Sequence, residues 1–248
     1  MSRNAVHTSV SLVLIGQFEP NKFDPQSLVE ARVIGKKSAE TASWLTLVPD
    51  KTLQFRIQWA EFLIMEDRLQ IVALESPYIR ICDAAIKAVV DLAPRTLVRQ
   101  FGINVSCDYD MESVDSRNDL GCRVAPPEAW GRWGDRLRTS MTGETRGGRL
   151  QGGVVNVTMR EHFDTPGLIS FRDVSIRPSI TIPQTGVLLH SNHHHQIDAS
   201  YENSEETDIE RKMSEAEVSS FLLSKLSDEF EQSVQEALSI FDNVVALS

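Results

Sequence analysis

Four of the six histidines fall within one short stretch, His190, His193, His194 and His195. On a strand, successive side chains alternate between faces, so His193 and His195 share one face while His194, Gln196 and Asp198 share the other. Two imidazoles at i, i+2 can chelate a divalent metal, but a protein metal centre needs at least a third ligand. His162 or Glu161, from a neighbouring strand, would have to complete the site, with His193, His195 and His162 the candidate metal set. No helical His-x-x-x-His and no cysteine partner adds to it. The competing reading is a solvated strand end or an edge contact.

A second cluster is cationic. Arg132, Arg136, Arg138, Arg146 and Arg149 stand against only Asp135 and Glu144 between residues 132 and 149. They are candidates for an anion or partner contact. The run Gly143-Glu144-Thr145-Arg146-Gly147-Gly148-Arg149 is glycine-rich but lacks the Gly-Lys-Ser/Thr of a phosphate loop, so a solvated connection is the favoured reading. Trp130 and Trp133 beside Arg132 and Arg136 suggest an aromatic–cation surface. The simpler expectation is that both tryptophans anchor an irregular segment to the rest of the protein. Asp108, Asp110, Glu112 and Asp115 read as a solvated strand end. There is no Gly-x-Ser-x-Gly elbow. Cys107 lies in a strand pattern and Cys82 on an apolar helix stripe, where thiols are packing residues. No motif calls for a cofactor, and none is expected.

These residues need elements to hold them. Residues 8–15 are β-branched and apolar and predict a buried strand. Asp24-Pro25 supplies a cap and a first-turn proline, predicting a helix over about 25–34 closed by Gly35. Leu53, Phe55, Ile57 and Trp59 alternate with polar residues, and 62–65 with 69–74 read as a hairpin broken at Glu66-Asp67. Ser76-Pro77 predicts a helix start, with Ile81, Ala85, Ile86, Val89 and Val90 as its stripe. Residues 97–109 resume as strand. The stretch 111–152, with Pro126-Pro127 and many glycines, reads as irregular. Further strands are expected at 154–159, 168–176 and 186–198. Ser214-Glu215-Ala216-Glu217 forms a capping box. The apolar recurrence from Val218 to Val245 then predicts a helix of ~30 residues, ~45 Å long.

The order of signals predicts one α+β domain over residues 1–248, with a mostly antiparallel sheet and two main helices on one face. The alternation of strands and helices is compatible with a pseudo-duplication into halves 1–115 and 150–248, joined by an irregular segment 116–149. Phe18-Glu19-Pro20, Phe23-Asp24-Pro25, Phe101-Gly102-Ile103-Asn104, the run Leu120 to Trp130, Gly152 to Val157 and His195-Gln196-Ile197-Asp198 follow one another in that order. In this series the chain resembles an uncharacterised bacterial family. More distantly it is similar to the sporadically distributed bacterial α+β proteins of unknown function. The resemblance implies a single α+β unit and carries no activity with it.

Composition narrows the classes of function. The chain has 248 residues and a formal net charge of −10, all of it in residues 198–248, where thirteen acidic residues face three basic ones. The remainder is neutral, so no broad basic surface exists for nucleic acid, and nucleic-acid binding is disfavoured. No apolar run approaches a membrane span, and the first residues lack the apolar region of a secretory signal. Cys82, Cys107 and Cys122 are too few and too scattered for a disulfide framework. Together these predict a cytoplasmic protein without membrane contact. It acts by binding itself or another protein, without catalysis, because large apolar residues of the last helix, Leu223 and Ile240 among them, lie off its main stripe. The alternative is a metal-binding protein or metal-dependent enzyme built on the histidines at 190–195.

Overall fold

A computed structural model describes residues 4–141, 153–198 and 215–247. Nine strands make one sheet: β1 (His7–Ile15), β2 (Ser43–Val48), β3 (Thr52–Arg56), β4 (Ala60–Met65), β5 (Arg68–Ala73), β6 (Gln100–Asp110), β7 (Val157–Thr165), β8 (Leu168–Pro178) and β9 (Gly186–Ile197). They lie in the order β2-β3-β4-β5-β1-β6-β9-β8-β7, and every neighbouring pair is antiparallel. The helices among the described residues are α1 (Pro25–Glu30), α2 (Lys36–Glu40), α3 (Ile79–Leu92), α4 (Val114–Val124), α5 (Gly131–Met141) and α6 (Glu215–Val245). The α+β class with an antiparallel sheet follows the strand patterning. None of these helices is long and apolar enough to cross a membrane.

One face of the sheet builds the core. Leu12 of β1 stands opposite Ile71 of β5 and Ile103 of β6, and all three are buried. The alternation that sends Val10, Leu12 and Leu14 inward sends Ser9, Ser11 and Val13 to the other face. Helix α3 lies against β5 and β1, and α6 against β6 and β9. The two helices meet where the Cys82 thiol lies 3.9 Å from the Leu226 carbonyl. Leu222, Leu226, Phe230, Val234, Ala237, Phe241 and Val245 form the buried stripe of α6. Each large side chain buried there contributes about 1.5–3 kcal/mol. Leu223 and Ile240 are partly buried and pack against this core. The apolar surplus expected on the outside of the last helix is therefore largely absorbed.

Several local expectations are corrected. Asp24 does cap α1, accepting the Gln26 and Ser27 amides at 2.9 and 3.1 Å. The helix nonetheless ends at Glu30, Arg32 takes a left-handed turn (φ 57°), and Gly35 opens α2 rather than closing α1. Helix α3 begins at Ile79 after Tyr78, with no side-chain cap, so Ser76 does not cap it. Strand β2 had no expected counterpart.

The largest correction concerns the supposed irregular segment 116–149, whose described part is mostly helical. Ser113 caps α4 by accepting the Ser116 amide at 3.0 Å, and Leu120 and Gly121 bury its inner side. A 3-10 turn, Pro127–Trp130, leads through Gly131 (φ 54°) into α5. The Pro127 carbonyl sits where a Cβ on residue 134 would be, 1.9 Å from that position, so only glycine fits at Gly134. Proline and glycine here shape the joint between two helices, where the sequence suggested loop. The capping serine Ser214 and the acidic loop 202–212 lie outside the described residues.

Candidate metal centre

Strand β9 is flanked by β6 and β8, and its odd-numbered residues point toward α6. The buried run on that face is Val187, Leu189, Ser191, His193 and His195. His193 and His195 thus share a face, as the alternation predicts. The register sets Arg172 of β8 beside His193, and Ser170 of β8 with Phe101 of β6 beside His195. Above them, Lys225, Glu229, Ser233 and Glu236 follow one another at three- or four-residue spacing along the flank of the α6 stripe, and so line a single side of the helix. A polar stripe on the helix meets a polar stripe on the sheet.

The ring nitrogens converge. His193 Nε2 and His195 Nε2 are 3.0 Å apart, and His195 Nε2 lies 3.1 Å from Glu229 Oε2. All three ligand atoms fall within 4.8 Å of one another. Around a tetrahedral zinc with Zn–N bonds of ~2.0–2.1 Å, neighbouring ligand atoms are about 3.3 Å apart. Two of the observed separations are within a few tenths of that value. Glu229 Oε2 is buried and makes no hydrogen bond, since its approach to His195 is off the bonding line.

The remaining atoms of these side chains are held from behind. Ser233 Oγ is 2.9 Å from His193 Nδ1, and Ser170 Oγ is 2.8 Å from His195 Nδ1. If each Nδ1–H donates to its serine, each Nε2 presents a lone pair to the common point, which is the tautomer a metal requires. Lys225 Nζ donates to Glu229 Oε1 at 2.5 Å and fixes the carboxylate. The ring of Phe101 lies 4.7 Å from that of His195, and the ring of Phe163 meets His193 edge-on at 5.2 Å.

Electrostatics point the same way. Burial, with His195 and Arg172 nearby, pushes the His193 pKa down to about 3, so this imidazole is neutral. For Glu229, burial acts to raise the pKa, but His195 and Lys225 together outweigh it and hold it near 2, so the carboxylate is ionised. A neutral imidazole and an ionised carboxylate are metal-ready forms. Beside them opens a cavity of about 190 Å³, lined by Phe163, Thr165, Arg172, Gln232 and Glu236 together with the ligand residues.

His162 does not belong to this site. It pairs with Phe171, which pairs in turn with His194, so all three lie on the opposite face of the sheet. Glu229 takes the place expected for it. The sequence contains the signal in part: Lys225, Glu229 and Ser233 repeat every four residues beside Leu226, Phe230 and Val234. Nothing in one dimension says which strand that flank covers. Arg172, at an inward position of β8, was likewise not anticipated.

Only part of the arginine cluster falls among the described residues. Arg132 and Arg136 are exposed on α5, Arg138 falls in the same helix, and Arg146 and Arg149 lie outside the described residues. Trp130 and Trp133 stack edge-on at 5.4 Å but stay 59% and 51% exposed, so they do not anchor the segment by burial. Cys82 and Cys107 are buried, as expected of packing residues. Asp108, expected in solvent, is buried and accepts from the Ser179 hydroxyl at 2.5 Å.

No known protein-family model matches the chain, and no curated protein matches it at a significant level. The fold and the site define an α+β protein in which two inward-facing histidines of the sheet meet a glutamate of the last helix.

Proposed function

We propose that this protein binds a divalent transition metal, zinc foremost, through His193 Nε2, His195 Nε2 and Glu229 Oε2. The observation that carries the reading is the convergence of three donor atoms, one of them a buried carboxylate oxygen with no hydrogen bond. A buried carboxylate oxygen without a hydrogen bond is costly, and a cation would relieve it. Three protein ligands beside a cavity leave a coordination position for water or a substrate, the arrangement of catalytic rather than structural zinc. A proton shared between the two imidazoles is the rival way to fill the gap between them. Metal analysis and zinc titration of tag-free protein decide the matter. About one zinc per chain, lost in His193→Ala and Glu229→Gln, supports the reading. Metal-free protein that zinc neither binds nor stabilises would refute it.

A second reading, contact with another copy or another protein, draws support from strand β2. This edge strand carries no charged residue and leaves Trp44, Leu47 and Val48 exposed by 50%, 62% and 44%. The opposite edge, β7, bears Arg160, Glu161 and Asp164, charged residues that discourage edge-to-edge pairing. Self-association is thus better sought at β2 than at α6. A drop in oligomer mass with Leu47→Lys would support it, and a wild-type monomer in sedimentation at micromolar concentration would sink it.

We further propose that the sheet is two like halves, β1-α1-α2-β2-β3-β4-β5-α3 and β6-α4-α5-β7-β8-β9-α6. In each, the last strand returns to pair with the first and a long helix follows, which makes α3 and α6 the equivalent main helices. These halves span about 7–92 and 100–245, with β6 opening the second instead of closing the first.

A further inference from the structure

The side chain nearest to being stranded in this cavity is Arg172. Its side chain is 3% exposed, and its Nε and Nη1 make no hydrogen bond. Nη1 lies 2.8 Å from Glu236 Oε2, but off the bonding line, and Glu236 is itself 48% exposed. The Phe163 ring lies 5.5 Å from the guanidinium carbon. A planar fork of donors, buried and aimed at a cavity, is built to hold an oxyanion.

Charge gives the same answer. Glu229 and Glu236 balance Lys225 and Arg172, and coordination keeps both imidazoles neutral. A divalent metal added to this set leaves two positive charges uncompensated in a partly buried site. Two charges of that kind favour an anionic ligand over a neutral one. The cavity of about 190 Å³ has room for a small oxyanion.

We propose that the cavity binds a small oxyanion, a carboxylate or a tetrahedral phosphate-like group, spanning the open metal position and the Arg172 fork. The inference rests on the metal reading above. Glu236, on the solvent side, turns away as the anion takes its place on Arg172. Lys225 stays with Glu229 and holds the metal ligand in position.

Cobalt(II) as a spectroscopic substitute for zinc separates the two claims. Tag-free protein titrated with cobalt should develop visible absorption bands that His193→Ala abolishes. Acetate and sulfate are then added as the carboxylate and tetrahedral probes. The expected result is a saturable shift of the bands with at least one anion. Arg172→Met should weaken that anion about tenfold or more while cobalt binds within about threefold of wild type. Should Arg172→Met fail to fold, Arg172→Lys, which keeps the charge and loses the fork, should show the same selective weakening. Absence of cobalt bands removes the metal reading and this one with it. Bands that neither anion moves, or an anion affinity indifferent to both Arg172 variants, leave the metal reading standing and overturn the oxyanion.

Discussion

The two sides of the sheet solve the same packing problem with different materials. Between β3 and β1, the face under the helices is apolar throughout: Leu53, Phe55, Phe62, Ile64, Leu69, Ile71 and Leu12. Between β6 and β8, the same face under α6 buries Ser170, Arg172, Ser191, His193 and His195. Every buried polar or charged residue among the described ones lies at or beyond residue 108. One side proves that this architecture closes without polar atoms in its interior. The other carries them anyway, at the desolvation cost that such burial entails. On the proposed metal reading, the first side serves stability and the second serves function.

The largest expected effect tests the apolar side. Phe62→Ala removes a buried ring stacked on Phe55 at 5.0 Å and should cost ~3–5 kcal/mol, as should Phe230→Ala in the α6 stripe. Urea unfolding measures both. The polar side should respond otherwise. His193→Leu combined with Ser233→Ala removes both partners of a buried hydrogen bond, and stability should stay within about 1.5 kcal/mol of wild type while zinc binding is lost. If that double variant unfolds like Phe62→Ala, the histidines are structural and the contrast fails.

A finer test leaves the ligands in place. Ser233→Ala or Ser170→Ala removes only the group behind one imidazole and should weaken zinc by about 10–100-fold, read by competition with a chelator. Unchanged zinc affinity in both would separate the serines from the site. The smallest effect concerns thiols. Burial pushes Cys82 up to about 12 and also raises Cys107, so at pH 8 both thiols stay mainly protonated. Native protein should be alkylated first at Cys122, the least buried of the three. Early labelling of Cys82 would mean that α6 lifts from α3, and the covered face would be less firmly closed than the packing implies.

Legibility in the sequence followed periodicity. Strands β1, β4, β5, β6, β8 and β9 and helix α6 were readable because each alternates or repeats against one large apolar surface. Helices α4 and α5 were not, since α5 is largely polar and both sit among prolines and glycines that usually break helices. Strand β2 was missed because exposed Trp44, Leu45 and Leu47 carry no inward–outward alternation. The corrected helix ends, at Arg32 and Tyr78, depend on where the chain must turn to reach its next contact.

The candidate site divides along the same line. The i, i+2 spacing by itself put His193 and His195 on one face, because strand geometry leaves no other choice once β9 forms. The third ligand was undetermined, since a side chain on β7 and one on α6 are equally compatible with that spacing. Register decided against His162: pairing with β8 puts it on the far face with Phe171 and His194. The seating of α6 decided for Glu229, because burying Leu226, Phe230 and Val234 leaves the Lys225–Glu229–Ser233 flank only the β8–β9 surface to meet. Local sequence fixes which way a side chain points along its own element, whereas which elements face each other is settled only when the whole apolar surface is closed.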